Sequence, residues 1–294
     1  MVYRGYIILV LGAKAKAIKN NGTMKKALKE LIDIKERYLE LSKGVLNYDK
    51  FNQYAITHHS TVIEGSTLSL EETFILLDKG LTPNNRPLEH SLMATDHLKA
   101  LKLIVEWAES KKILESRDVQ ELSATIMNGT GSKISTMAGD FDSSKGDFRK
   151  ATVRNEDRIF MDQAKVPGEV DRLMRELSST INGKKDFVDS NLLAFDIHFQ
   201  MVSIHPFADG NGRLSRLLMN YVQLFHDHPM KVVFPEDRRQ YFDALENTRK
   251  AEDISIFRNF MFHQAKKYFE REIGILSKEQ KRSKSKDRGI SFIF

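Results

Sequence analysis

Twelve consecutive residues, His205-Pro-Phe-Ala-Asp-Gly-Asn-Gly-Arg-Leu-Ser-Arg216, bring together a base, a hard oxygen ligand, two permissive backbone positions and two cations. Gly210 and Gly212 allow positive φ and leave their backbone N–H groups uncovered. A helix beginning at this loop points unsatisfied N–H groups and the positive end of its dipole into it, so the loop can cradle phosphates. Arg213 and Arg216 stand three apart, share a helix face and offer charge-assisted bonds to phosphate oxygens. Asp209 is an oxygen ligand suited to Mg2+ bridging such phosphates. His205, at the loop entry, has the intrinsic pKa of a general base. A structural histidine or a plain Asp-Gly-Asn-Gly turn would account for single parts. The whole set reads as a nucleotide site with a base beside it.

Helices must position this loop. Apolar residues recur at helical spacing over Met24–Leu41, Leu70–Leu77, Leu88–Glu109, Arg117–Met127, Val170–Ile181, Asn191–Ile204, Leu214–His226, Arg238–Lys250 and Ile254–Ile275. Leu193, Ile197, Met201 and Ile204 predict a buried stripe on the helix entering the loop, with Asp189 or Ser190 able to cap its start. One region breaks the period. Gly146–Asp162 carries β-branched and aromatic residues around a polar Asn-Glu-Asp turn and predicts a short hairpin. The fold class expected is all-α, a helical bundle with one short β-hairpin.

The chain has 294 residues, enough for a sizeable core, and no cysteine. That excludes disulfides, thiolate zinc sites, iron–sulfur clusters and a cysteine nucleophile. The net charge of +6 is concentrated at the end, where Lys278–Arg288 holds six basic and two acidic residues and reads as a solvated tail. The apolar run Tyr6–Ala13 falls well short of the roughly 20 residues of a membrane span. Arg4 before it leaves a degenerate signal peptide as an alternative, but Lys14, Lys16 and Lys19 follow and no clear cleavage site does. A cytoplasmic location without a membrane partner is expected.

The His205–Arg216 segment resembles the Fic-domain signature H-x-F-x-D/E-G-N-G-R-x-x-R at every fixed position, and the resemblance extends over roughly Asp49 to Tyr268. It implies a Fic-type helical bundle and an adenylyltransferase that moves AMP from ATP to a hydroxyl side chain of a target protein, with transfer of another nucleotide-derived group as an alternative. His205 would deprotonate that hydroxyl, Asp209 would hold Mg2+, and Gly210, Asn211 and Gly212 would form the anion hole with Asn211 on the α-phosphate. Arg213 and Arg216 would bind the outer phosphates, with Leu214 and Ser215 completing the nucleotide-binding stretch, and Phe207 would anchor the loop in the core. The hairpin resembles the family's flap, which aligns a target by strand addition, and Ile159, Phe160, Met161 and Asp162 would close over the nucleotide. Tyr241 and Phe242 would flank the adenine. Two departures touch the base site: Phe242 lacks the hydroxyl of the frequent tyrosine, and Arg249 stands where an asparagine is usual, the nearest being Asn247.

Far upstream, Ser60-Thr-Val-Ile-Glu64-Gly65 is similar to the family's inhibitory pattern. Taken alone it reads as a helix end with Gly65 as cap. Beside the signature it implies that Glu64 pairs with Arg216 and keeps it from the γ-phosphate, with removal of AMP as a second role for the same carboxylate. The organisation expected is an N-terminal helical extension over 1–48, the inhibitory and first Fic helices over 49–110, the catalytic core over 111–270 and a basic tail over 271–294. Self-adenylylation and a homodimer are left open. A zinc hydrolase on His58-His59 or His226-Asp-His228 lacks a His-Glu-x-x-His pattern, and Asn128-Gly-Thr-Gly-Ser-Lys lacks the order of a P-loop. A nucleic-acid-binding regulator lacks a recognition helix outside the core, and a nucleotide-binding scaffold without activity is opposed by the complete signature.

Overall fold

The computed structural model describes residues 22–155 and 158–284. The apolar run Tyr6–Ala13 with its signal-peptide alternative, and the end of the basic stretch beyond Lys284, lie outside the described residues. Among the described residues the α-helices are α1 (Gly22–Ser42), α2 (Tyr48–Ile63), α3 (Leu70–Lys79), α4 (Leu88–Glu109), α5 (Ser116–Ile126), α6 (Val166–Ile181), α7 (Phe187–Ile204), α8 (Asn211–Phe225), α9 (Arg238–Ala251) and α10 (Ser255–Lys284). The all-α expectation holds. None of these helices is long and apolar enough to cross a membrane.

Helix α7 is the centre of the bundle. Its buried residues include Leu192, Phe195, Asp196, His198, Phe199 and Gln200 as well as the expected Leu193, Ile197, Met201 and Ile204. The helix is therefore buried on all faces rather than along one stripe, as suits an element packed against α6, α8 and α10 together. The polar cost of that burial is met by pairing: Arg258 of α10 grips Asp196 through Nε at 2.7 Å and Nη2 at 2.5 Å. The start of α7 lies one turn before the expected caps. Asp186 is the N-cap and its carboxylate accepts the Asp189 N–H at 2.8 Å, so Asp189 and Ser190 fall inside the helix.

Strand content is small and differs from the expectation of a single hairpin. In the flap only β3 (Arg154–Asn155) and β4 (Arg158–Ile159) pair, antiparallel, with Arg154 opposite Ile159; residues 156 and 157 of its turn lie outside the described residues. A second hairpin pairs β1 (Lys133–Ile134) with β2 (Phe141–Asp142). Its turn is closed by Thr136, whose hydroxyl donates to the Gly139 carbonyl at 2.8 Å, and by Gly139 at φ 106°.

Helix α1 packs along α10. Tyr48 donates to Glu272 at 2.6 Å and Tyr268 to Asn52 at 2.7 Å, joining α2 to α10. Burial, offset by the Tyr48 hydrogen bond, holds the Glu272 carboxyl above its ordinary pKa. The domain boundary expected at 270/271 falls inside α10, and the basic stretch from Lys278 begins as that helix's last turns.

Candidate active site

The end of α7 delivers His205. It caps the helix in the left-handed region, φ 54° and ψ 60°, with its N–H bonded to Met201 O at 3.1 Å. Its imidazole is stacked face to face with Phe160 of the flap, centroids 3.9 Å apart, and the Arg158 guanidinium lies over the Phe160 ring at 4.3 Å. Burial, followed by the Arg158 and Arg149 cations, pushes the His205 pKa down to about 3, while the Val202 carbonyl works the other way. The ring is neutral at pH 7, and its buried Nδ1 has no hydrogen-bond partner.

The loop after His205 is braced from within. Phe207 is buried and stacks on Phe148 at 5.4 Å, as its anchoring role requires. Asn211 closes the turn: its Oδ1 accepts the Phe207 N–H at 3.0 Å and its Nδ2 donates to the Phe207 carbonyl at 2.9 Å. The carboxamide expected on the α-phosphate is thus engaged by the loop's own backbone. Gly210 has φ 78°, and a Cβ there would meet Met127 Sδ at 3.0 Å.

Helix α8 begins at Asn211, one turn before the expected Leu214, so Gly212 and Arg213 lie in its first turn, where N–H groups have no intrahelical partner. Arg213 is buried; its Nη2 donates to Met127 Sδ at 3.2 Å and to Asp209 Oδ2 at 3.3 Å, and its Nε and Nη1 are buried without partners. Arg216 donates through Nε to Ser60 Oγ at 3.0 Å and through Nη2 to Ser60 O at 2.9 Å and Glu64 Oε1 at 2.6 Å, leaving buried Nη1 without a partner. The Glu64–Arg216 pair spans 152 residues of chain. It sets a carboxylate at the N-terminus of α8, so close that a Cβ on Gly212 would lie 2.2 Å from Glu64 Oε1. Asp209 is 68% exposed at its side chain and its Oδ1 accepts the Gly210 N–H at 2.6 Å. Leu214 and Ser215 face the core, with Ser215 bonded to Asn211 O at 2.8 Å.

The flap residues divide by environment. Ile159 is 62% exposed, Phe160 covers His205, Met161 is buried, and Asp162 caps a short 3₁₀ turn by accepting the Ala164 N–H at 2.8 Å. The aromatic pair on α9 also divides. Adjacent helical residues point about 100° apart. Tyr241 is buried and shares a 2.8 Å hydrogen bond with His198 Nε2, whereas Phe242 is 42% exposed. Only Phe242 faces outward, with the Arg238 guanidinium over its ring at 4.9 Å. Arg249 Nε reaches Ser203 Oγ at 3.4 Å, and burial followed by the Arg158 cation lowers its pKa to about 9. Asn247 is exposed.

Sequence reasoning missed three supporting residues. Met127 backs both Gly210 and Arg213. Arg238 donates to Ile63 O at 2.8 Å, holding the helix end that carries Glu64. Arg149 bonds backbone carbonyls around His205. Each acts on backbone or sulfur far along the chain and leaves no local pattern. His58 lies 3.2 Å from Thr73 Oγ1 and His59 packs on Phe234, and no group of three or more metal-ligating side chains occurs among the described residues.

Residues 113–223 match the Fic/DOC family. The chain is 28% identical over 208 residues to a protein named Protein adenylyltransferase Fic from Aedes aegypti, covering 69% of this chain and 38% of that one. A protein of the same name from Drosophila mojavensis is 29% identical over 210 residues, covering 69% and 38%. The chain thus spans about two-fifths of the length of the curated relatives it matches. Its fold is that of solved Fic structures: a fragment of Fic-1 from C. elegans superposes with a TM-score of 0.69 at 19% identity, covering 86% and 73% of the two chains. A Fic-domain protein from Bacteroides thetaiotaomicron gives 0.66 at 22% identity, covering 84% and 97%.

Proposed function

We propose, from the match of residues 113–223 to the Fic/DOC family, that this chain is a protein adenylyltransferase held in check by Glu64. The observation that carries the reading is the set of buried donors with no partner, Arg213 Nε and Nη1 and Arg216 Nη1, at the start of α8, the helix that follows the loop opened by a neutral His205. Buried donors left unpaired are rare and costly, and at a helix N-terminus their natural complement is an anion. A triphosphate supplies it.

The reaction follows. The target hydroxyl oxygen attacks the α-phosphorus of ATP, His205 takes the hydroxyl proton, the bond between the α-phosphorus and the bridging oxygen breaks, and pyrophosphate leaves. Arg213, Arg216 and the first-turn N–H groups hold the phosphates, so the acceleration comes from positioning and from charge stabilisation. Mg2+ fits the solvent-facing Asp209 carboxylate, since that ion commonly takes one protein carboxylate together with phosphate oxygens, and there it would neutralise phosphate charge. The flap edge at Ile159 serves the target, Phe242 serves the base, and Phe160 together with Met161 and Asp162 shapes the closure between them.

Glu64 supports the brake physically. Its carboxylate occupies the anion site, engages Arg216 Nη2, and would repel a third phosphate. A misplaced triphosphate cannot be attacked in line, which costs about a hundredfold or more in rate. Removal of AMP is the second reading, favoured by the partial exposure of the Glu64 side chain, which lets water reach it. ATP as donor fits a cytoplasmic location, and a homodimer is read by sedimentation velocity. The test is incubation of Glu64→Gly with ATP labelled at the α- or the γ-phosphate. Label retained on protein from the α position alone, and lost with Glu64→Gly/His205→Ala, supports the reading; retention from the γ position overturns it.

A further inference from the structure

Arg149 is 1% exposed and lies outside the His205–Arg216 stretch. Its guanidinium is aimed at backbone carbonyls: Nε donates to His205 O at 2.7 Å, Nη1 to Ala151 O at 2.8 Å and Nη2 to Met161 O at 2.5 Å. Its own N–H donates to Pro206 O at 3.0 Å. Ala151 and Met161 stand at the two feet of the flap, so one side chain ties both feet to the residue that carries the base.

His205 needs such a tie. His205 has φ 54°, and a non-glycine residue in the left-handed region persists only where its surroundings hold it there. The Met201 carbonyl fixes the His205 N–H, and Arg149 fixes the His205 carbonyl. Between the feet, Phe160 N–H bonds to Val153 O at 3.0 Å, and its ring comes down on the imidazole. One fork therefore joins the His205 carbonyl to both feet of the flap, alongside Arg158, whose Nη2 donates to Ser203 O at 3.4 Å.

We propose that Arg149 is a positioning residue for group transfer, holding the His205 imidazole in register with the flap edge that presents the target hydroxyl. The proposal rests on the adenylyltransfer reading above. A lysine cannot substitute, because one ammonium cannot reach three carbonyls that a planar guanidinium reaches in fixed directions. The three carbonyls that the guanidinium holds lie on the base-and-flap side, not on residues 210–216, so the loop and helix start that would hold the phosphates keep their own bonds.

The test places Arg149→Lys and Arg149→Met in the Glu64→Gly protein. Self-adenylylation with α-labelled ATP is followed as a rate against ATP concentration, and backbone amide exchange is followed by mass spectrometry or NMR. The rate at saturating ATP falls about 100-fold, as for a base displaced by about 1 Å, while half-saturation by ATP moves less than threefold. The His205 and Phe160 amides exchange at least tenfold faster, and the Leu214 amide in α8 is unchanged. An unchanged rate overturns the proposal, as does a loss of ATP saturation with loosening of Leu214, which would mark a merely structural role. If the Glu64→Gly parent transfers no AMP, the adenylyltransfer reading fails by itself. The exchange arm still decides the tie: unchanged His205 and Phe160 amides overturn it, and faster ones support it.

Discussion

Replacing Phe160 by alanine tests whether the flap tunes the base. Phe160 covers one face of the His205 imidazole at 3.9 Å, and burial is the leading cause of the His205 pKa of about 3. Against the ordinary 6.5, that depression is worth about 5 kcal/mol against the protonated ring. Removing the phenyl ring readmits water, but the Arg158 and Arg149 cations stay, so only part is recovered. We expect the His205 pKa in Phe160→Ala to rise from its wild-type value towards, but not to, the ordinary imidazole value. The linkage has a definite sign. His205 protonates more readily unfolded than folded, so the wild type loses stability as pH falls below about 6.5 towards 3. Phe160→Ala is less stable than wild type at pH 7 through lost packing, and that deficit shrinks as pH falls to 4. The assay is an NMR titration of the imidazole nitrogens, with urea unfolding at pH 7 and pH 4. An unaltered His205 titration in a folded Phe160→Ala protein would refute the shielding argument.

Three further perturbations read other parts of the structure. Arg238→Ala frees the Ile63 carbonyl beside Glu64 and should raise AMP incorporation several-fold, short of the Glu64→Gly level. Tyr241→Phe removes the bond to His198 and should cost about 1 kcal/mol in urea unfolding, whereas Phe242→Ala should weaken ATP binding without altering stability by more than about 0.5 kcal/mol. Asp196→Ala removes the carboxylate that Arg258 grips between α7 and α10 and should destabilise the fold, read as a fall in Tm.

The candidate catalytic stretch was legible because its chemistry is local: His205 through Arg216 declare loop, helix start and charge within twelve residues. Helix periods gave the elements, yet their ends slipped where several caps compete. Asp186, Asp189 and Ser190 all suit the start of α7, and only the position of the first buried turn chooses Asp186. Tyr241 and Phe242 are both expected to flank the base, and their adjacency in sequence does not show that the helix turns Tyr241 inward and leaves Phe242 exposed. The Glu64–Arg216 pair was reached only through family resemblance, because a contact across 152 residues has no periodicity. Arg149, Met127 and Arg238 were silent for a deeper reason. Their acceptors are carbonyls and a thioether, which every sequence contains, and only the fold selects which ones they meet.

The most direct measurement is AMP incorporation from α-labelled ATP into the wild type, Glu64→Gly and Glu64→Gly/His205→Ala proteins, side by side. With Glu64 occupying the anion site and His205 as base, Glu64→Gly is labelled about a hundredfold faster than wild type, and the double variant is unlabelled. Equal labelling of wild type and Glu64→Gly, or undiminished labelling without His205, would contradict the account.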